Sequence, residues 1–334
     1  MSSVSEPAFK ARSLAQVETT RGGRAQNSSE YSLHRGRETA AGRWWSKPWL
    51  NLVSFLLTLV STTTFGYALQ QSFRASRGLD EKFLATAYEA LFHGDAKLLA
   101  GLEYSVPLLL ILLAHEFGHY IACQRWKVRC TLPFFGPSPT LLGTIGAFIW
   151  IRSPIYRRRT LFDIGVSGPV AGFAIALPCL LIGIAQSHSC PGSGSHALFS
   201  FGAPLLLRGL ELLGFPGVSA GDICLHPIAM AAWAGLLATS INLLPLGQLD
   251  GGHIVYAVFG ERGHALISRL VVVCLAIAGI LYWPWWIWAV AMFFFRRHPL
   301  ILDEDPLGKR RIAVAAAAAL LLLLSFSIVP VRVG

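Results

Sequence analysis

Runs of about twenty apolar residues recur along this 334-residue chain, and a helix of that length is what a hydrocarbon layer about 30 Å thick requires. They lie at about Leu50–Leu69, Tyr104–Cys123, Leu161–Ala185, Pro227–Leu246 and Ile312–Val329. A longer run, Leu266–Phe295, exceeds one untilted span and is interrupted by Trp283-Pro284-Trp285-Trp286, so it divides at Pro284 into a tight pair. Composition agrees with a lipid solvent. Hydrophobic residues are 54% and charged residues 14%, against about 25% charged in soluble domains. That balance excludes a disordered chain and an ordinary soluble enzyme. The expectation is an all-α polytopic membrane protein with about six to seven transmembrane helices.

One apolar stretch cannot be a helix. Thr131–Ile151 carries Pro133, Pro137, Pro139, Gly136, Gly143 and Gly146, a density of breakers that no spanning helix tolerates. Non-helical backbone at membrane depth survives only inside protein or beside a water-filled cavity. The stretch therefore reads as a membrane-embedded re-entrant β-hairpin or loop, with Gly143–Ile149 extended.

Charge fixes an orientation. The chain has 28 Lys+Arg against 18 Asp+Glu, and 22 of those 28 fall in the segments that alternation assigns to the same side as the N-terminus. Excess Lys/Arg marks cytoplasmic loops, so the N-terminus is expected in the cytoplasm. No basic face interleaved with aromatics suggests nucleic acid. Residues 1–48 are polar and aperiodic, without the apolar core of a signal peptide, and read as a flexible cytoplasmic tail. Six cysteines form no disulfide framework. Cys190 and Cys224 share an outer loop, where a disulfide and two free thiols are both admissible.

The chemistry sits in the second apolar run, at His115-Glu116-Phe117-Gly118-His119. Residues i and i+4 share a helix face, so two neutral imidazoles can bind one Zn²⁺ with the adjacent carboxylate beside the water the metal would activate. Three ionisable residues within five positions of a span default to a functional reading. A catalytic zinc takes a third protein ligand; the candidates at matching depth are Asp163, Asp250 and His253. The segment Asn242-Leu243-Leu244-Pro245-Leu246-Gly247-Gln248-Leu249-Asp250-Gly251-Gly252 favours Asp250, because Pro and Gly break the helix around one acid. Asn242 could donate to a developing oxyanion or serve as an interhelical contact.

Together these residues resemble the site-2 protease family of intramembrane zinc metalloproteases (peptidase family M50). The likeness rests on His-Glu-Phe-Gly-His at 115–119, on Asn-x-x-Pro-x-x-x-Leu-Asp-Gly at 242–251 and on the run Phe162–Gly172. It implies zinc ligands at His115, His119 and Asp250, one ion per chain, with Glu116 as general base. Asn242, Gly143 and Gly146 would bind substrate or stabilise the transition state. The implied activity is endoproteolysis of transmembrane segments of other proteins in the lipid bilayer, within regulated intramembrane proteolysis. A bacterial inner membrane is the expected location. The expected organisation is a tail at 1–48, a first transmembrane helix and outer loop at 49–103, a catalytic core at 104–260 and C-terminal transmembrane helices at 261–334. A catalytically silent scaffold or chaperone on the same fold is the alternative, and the intact His-Glu-x-x-His with Asp250 speaks against it.

Overall fold

The computed structural model describes residues 48–139, 142–192, 199–295, 298, 301, 303 and 305–333. The tail expected over 1–48 thus lies, Pro48 apart, outside the described residues. In chain order the elements are α1 (Pro48–Arg74), α2 (Glu81–His93), a 3-10 turn (Ala96–Gly101), α3 (Leu102–Arg125), β1 (Phe134–Pro137), β2 (Thr144–Phe148) and α4 (Arg158–Ala185). There follow β3 (His188–Ser189), β4 (Phe199–Phe201), α5 (Leu205–Gly214), a 3-10 turn (Ala220–Asp222), β5 (Ile223–Cys224) and α6 (Pro227–Asn242). The chain ends with α7 (Asp250–Leu281), α8 (Pro284–Phe295), α9 (Lys309–Ser325) and β6 (Val331–Val333).

Helices dominate because lipid leaves the backbone no other donor or acceptor. Four helical segments among the described residues are long and apolar enough to cross a membrane: Pro48–Arg74, Ala96–Arg125, Arg158–Ala185 and Asp250–Leu281. That is fewer than the six to seven expected, and the reason is local. The fourth apolar run stops being helical at Asn242, because Pro245 and Gly247 turn the following backbone; Leu246 N–H bonds Leu244 O at 2.7 Å and Leu249 N–H bonds Leu246 O at 3.1 Å. At 16 residues α6 rises only about 24 Å. The last apolar run gives a 17-residue helix. The break expected at Pro284 is present, with α7 ending at Leu281 and α8 starting at Pro284.

The core gathers α3, α4 and α6, with α7 packed on α4. Trp233, Tyr104, Leu108, Ile111 and Leu180 are fully buried there. Small residues let backbones approach: a Cβ on Gly66 of α1 would collide with Gly101 O just ahead of α3. Ser54, Thr58 and Thr62 form a buried row on α1, and the two threonine hydroxyls return their bonds to carbonyls four residues back at 2.7 Å. In α2, the Asp80 side chain caps the N-terminus by accepting from Phe83 N–H at 3.0 Å, and Gly94 closes the helix in the left-handed region.

Among the described residues there are three two-stranded antiparallel pairs: β1 with β2, β3 with β5 and β4 with β6. β1 and β2 form an antiparallel hairpin within the stretch expected to be non-helical, with Phe134 opposite Phe148, Phe135 opposite Ala147 and Gly136 opposite Gly146. In the loop between α4 and α6, Cys190 and Cys224 are joined in a disulfide beside the β3–β5 pair. It ties the end of α4 to the start of α6. Cys123, Cys130, Cys179 and Cys274 are free thiols.

Alkylation under denaturing, non-reducing conditions should tag those four cysteines, and reduction should expose two more; six tags without reductant would refute the pairing. Replacing Cys224 with Ser should cost about 2–4 kcal/mol of stability, read as a lowered unfolding temperature.

Candidate metal centre

α3 sets two imidazoles on one face, one turn apart. His115 and His119 are buried, at 4% and 7% exposure, and their rings meet edge to face with centroids 4.9 Å apart. Asp250 reaches them from the first turn of α7. Its Oδ2 lies 3.2 Å from His115 Nε2 and 3.3 Å from His119 Nε2. The three ligand atoms lie within 4.8 Å of one another, and this is the metal-competent His/Cys/Asp/Glu group among the described residues.

The supports explain the convergence. α4 runs past α3 with glycines where the rings lie: a Cβ on Gly168 would strike the His119 ring, and one on Gly172 would press on His115 at 3.1 Å. His119 Nδ1–H donates to Ile164 O of α4 at 2.8 Å, which leaves the Nε2 lone pair directed at Asp250. The amide nitrogen of Asn242, at the end of α6, lies 3.3 Å from His115 Nε2. α7 is broken at Gly260, whose φ of 71° no L-residue adopts easily. Arg158 seals the first half of that helix, donating from Nε to Ala257 O at 3.0 Å and from Nη2 to Val258 O at 3.2 Å. His264 Nε2–H holds Gly247 O at 3.1 Å in the turn ahead of Asp250.

The donor set tests well against a metal. An imidazole lone pair and a carboxylate oxygen about 3 Å apart repel unless a positive charge, a proton or a metal ion, is shared between them. Two nitrogens and one carboxylate oxygen are the donors of catalytic zinc sites that keep one position open. Glu116, next along α3 and 4% exposed, lies beside the backbone of Ile149 just past β2.

Two other ligand candidates are engaged elsewhere. Asp163 accepts from Arg311 Nε and Nη2, both at 2.8 Å, and from Trp126 Nε1 at 3.2 Å, an ion pair that holds α9 to α4. His253 Nδ1 lies 2.9 Å from His298 Nε2. Of the residues expected at the site, Asn242 joins the cluster, whereas Gly143 and Gly146 lie in the hairpin. Sequence reasoning missed the glycine cradle and Arg158. The Gly168-x-x-x-Gly172 spacing was the available signal for the cradle; Arg158 had none.

A buried His-Glu-x-x-His helix meeting a distant aspartate is the donor arrangement of a catalytic zinc site, here set among helices of membrane-spanning length. Residues 103–282 match Peptidase family M50, and the chain belongs to that family, the site-2 proteases, whose metal is zinc. It is 30% identical over 280 residues to the "Probable zinc metalloprotease EGY1, chloroplastic" of Oryza sativa subsp. japonica, covering 79% of this chain and 47% of that protein. Its likeness to the Arabidopsis thaliana protein of the same name is 31% over 276 residues, 79% of this chain and 50% of the relative. The "Probable zinc metalloprotease EGY2, chloroplastic" of Arabidopsis thaliana is 31% identical over 206 residues, 60% and 36% of the two chains. The chain spans about half the length of the first two relatives. Their names place them in chloroplasts, so the expected bacterial inner membrane gains no support; an integral membrane location stands.

Asp163→Asn should leave zinc content unchanged while Asp250→Asn removes most of it, measured by elemental analysis of purified protein. Gly168→Ala should weaken zinc binding about 10–100-fold through the displaced His119 ring, read by competition with a chelator; unaltered affinity would mean the cradle is not needed.

Proposed function

We propose that this protein is an intramembrane zinc metalloendopeptidase that cuts transmembrane segments of other membrane proteins, as part of regulated intramembrane proteolysis. His115, His119 and Asp250 hold one zinc ion per chain. The observation that carries this reading is the meeting of Asp250 Oδ2 with both Nε2 atoms inside a helical core. When bound, zinc supplies a Lewis acid that brings the pKa of water to about 7 and polarises a peptide carbonyl.

The chain's own groups do the rest. Glu116 is the general base: it takes a proton from water and returns it to the leaving amine. Asn242, beside His115, donates its amide to the carbonyl oxygen as negative charge develops. A transmembrane substrate hides its peptide bonds in intrahelical hydrogen bonds and must unwind first. The β1–β2 hairpin, with Gly143 and Gly146 in its turn and second strand, receives the unwound stretch by strand addition.

The wider arrangement follows the same reading. Residues 104–260 form the catalytic core, 49–103 a first transmembrane helix and outer loop, and 261–334 C-terminal transmembrane helices, with the tail at 1–48 cytoplasmic. Six to seven crossings are reached if the shorter apolar helices α6, α8 and α9 also span, with the hairpin at membrane depth. The apolar character of α6 and α8 supports this.

Glu116→Gln should retain zinc and lose about 10²–10⁴-fold in cleavage of a reconstituted transmembrane substrate; His119→Ala should lose both metal and cleavage. Full cleavage by Glu116→Gln would exclude its role as base.

A further inference from the structure

The family match begins at residue 103, yet α1, which precedes it, grips the hairpin along its length. At the near end, Asn51 Nδ2 donates to Leu132 O at 3.1 Å and to Pro133 O at 2.8 Å. One turn on, the buried Ser54 Oγ accepts from Phe135 N–H at 3.4 Å, and Phe55 meets the Phe135 ring edge to face at 5.2 Å. At the far end, Ser61 Oγ donates to Gly143 O at 2.6 Å. Gly143 sits at φ 71°, and a Cβ there would press on Thr62 Cα at 2.6 Å. Two tyrosines hold the turn from other helices: Tyr104 OH donates to Leu142 O at 3.1 Å, and Tyr88 OH to Pro139 O.

These contacts discriminate between the two edges of the hairpin. An antiparallel strand turns alternate residues toward its partner and away from it. Phe135 gives its N–H to α1 and not to β2, so the Phe135–Ala147 pair is of the non-hydrogen-bonded kind. In the stalk, Trp150 C=O accepts from Thr131 N–H at 3.0 Å. Trp150 and Phe148 therefore face the first arm, and by alternation Ala147 and Ile149 present their N–H and C=O groups on the opposite edge; the register shift at Gly136/Pro137 ends that alternation before Ile145. Ile149, on that edge, brings its backbone beside the Glu116 carboxylate. The outer edge of β1 is thus already spoken for by α1, and the outer edge of β2 leads directly to Glu116.

We infer that Ser54 of α1, which fills the outer edge of β1 at Phe135, and Asn51 and Ser61, which pin the entry and the turn of the hairpin, are positioning residues that make the β2 edge, at Ala147, the one on which an extended substrate segment is held. This rests on the reading of the hairpin as a substrate-binding strand. The edge fixes where an incoming backbone lies relative to Glu116, a task that the family-matched segment does not perform alone. Asn51 and Ser61 touch neither the metal ligands nor Glu116.

The test uses the full-length Glu116→Gln protein in nanodiscs and a synthetic Leu/Ala transmembrane peptide with a central Asn-Gly helix breaker. Backbone hydrogen exchange is read by mass spectrometry with and without the peptide. We expect added protection in the fragment containing Ala147, and none at Phe135, which is protected beforehand. Ser54→Ala should unprotect Phe135 in the free protein, and Asn51→Ala with Ser61→Ala should weaken peptide binding about 10-fold for the lost hydrogen bonds. Zinc content should be unchanged, and Ser61→Thr, which keeps a hydroxyl, should bind like the parent. Protection gained on β1, no peptide-dependent protection at all, or variants that bind like the parent would each overturn the inference. In the Glu116-containing protein, peptide held on β2 without cleavage would sink the protease reading and leave the edge assignment standing. Cleavage with no β2 protection would do the reverse.

Discussion

Everything in this structure depends on placing a carboxylate and two imidazoles in a helical core without leaving any of them unpaired. A single buried ion is costly enough that removal of its partner destabilises by about 3–5 kcal/mol. Asp250 meets that constraint by lying within 3.3 Å of both ring nitrogens, and the three groups together form a trap for one cation. The constraint reaches outward. α4 must carry glycines where the rings pass, α6 must end early enough to turn the chain, and α7 must begin at the aspartate.

The bracing around the centre is made largely of backbone carbonyls gripped by side chains. His119 is steadied through Ile164 O, the turn before Asp250 through Gly247 O, and the first half of α7 through two carbonyls bonded by Arg158. The Asp163–Arg311 pair holds α9 against the same end of α4. On the opposite side of the core the Cys190–Cys224 bridge joins α4 to α6, the helices that supply the glycine cradle and Asn242. A metal site needs its ligands held to about 0.5 Å, and this chain meets the need by locking helix ends rather than by enlarging its core.

Much of this was legible in the sequence, for identifiable reasons. The i, i+4 histidines declare a helix face, and the Pro- and Gly-flanked acid at 250 declares a broken helix in an apolar region; both signals are local. The hairpin was readable because six Pro and Gly residues exclude a helix between Thr131 and Ile151. The break at Pro284 was readable for the same reason. What escaped was non-local or hidden by composition. An apolar run scores alike whether its backbone is helical or turned, so the fourth run was read through to Leu246 although its helix ends at Asn242. Asp163 and Asp250 could not be separated by depth, because the deciding fact is the Arg311 guanidinium, 148 residues away in the chain. The outer edge of β1 is filled at Phe135 by Ser54, about 80 residues earlier, and no periodicity announces that.

The account turns on a zinc ion bound by two rings of α3 and the carboxylate of α7. X-ray absorption at the zinc edge on the purified, metal-replete protein tests this most directly. It should give a first shell of nitrogen and oxygen donors with the scattering of two imidazoles, and that shell should collapse in Asp250→Ala. A shell containing sulfur, or one unaltered by loss of the aspartate, would contradict it.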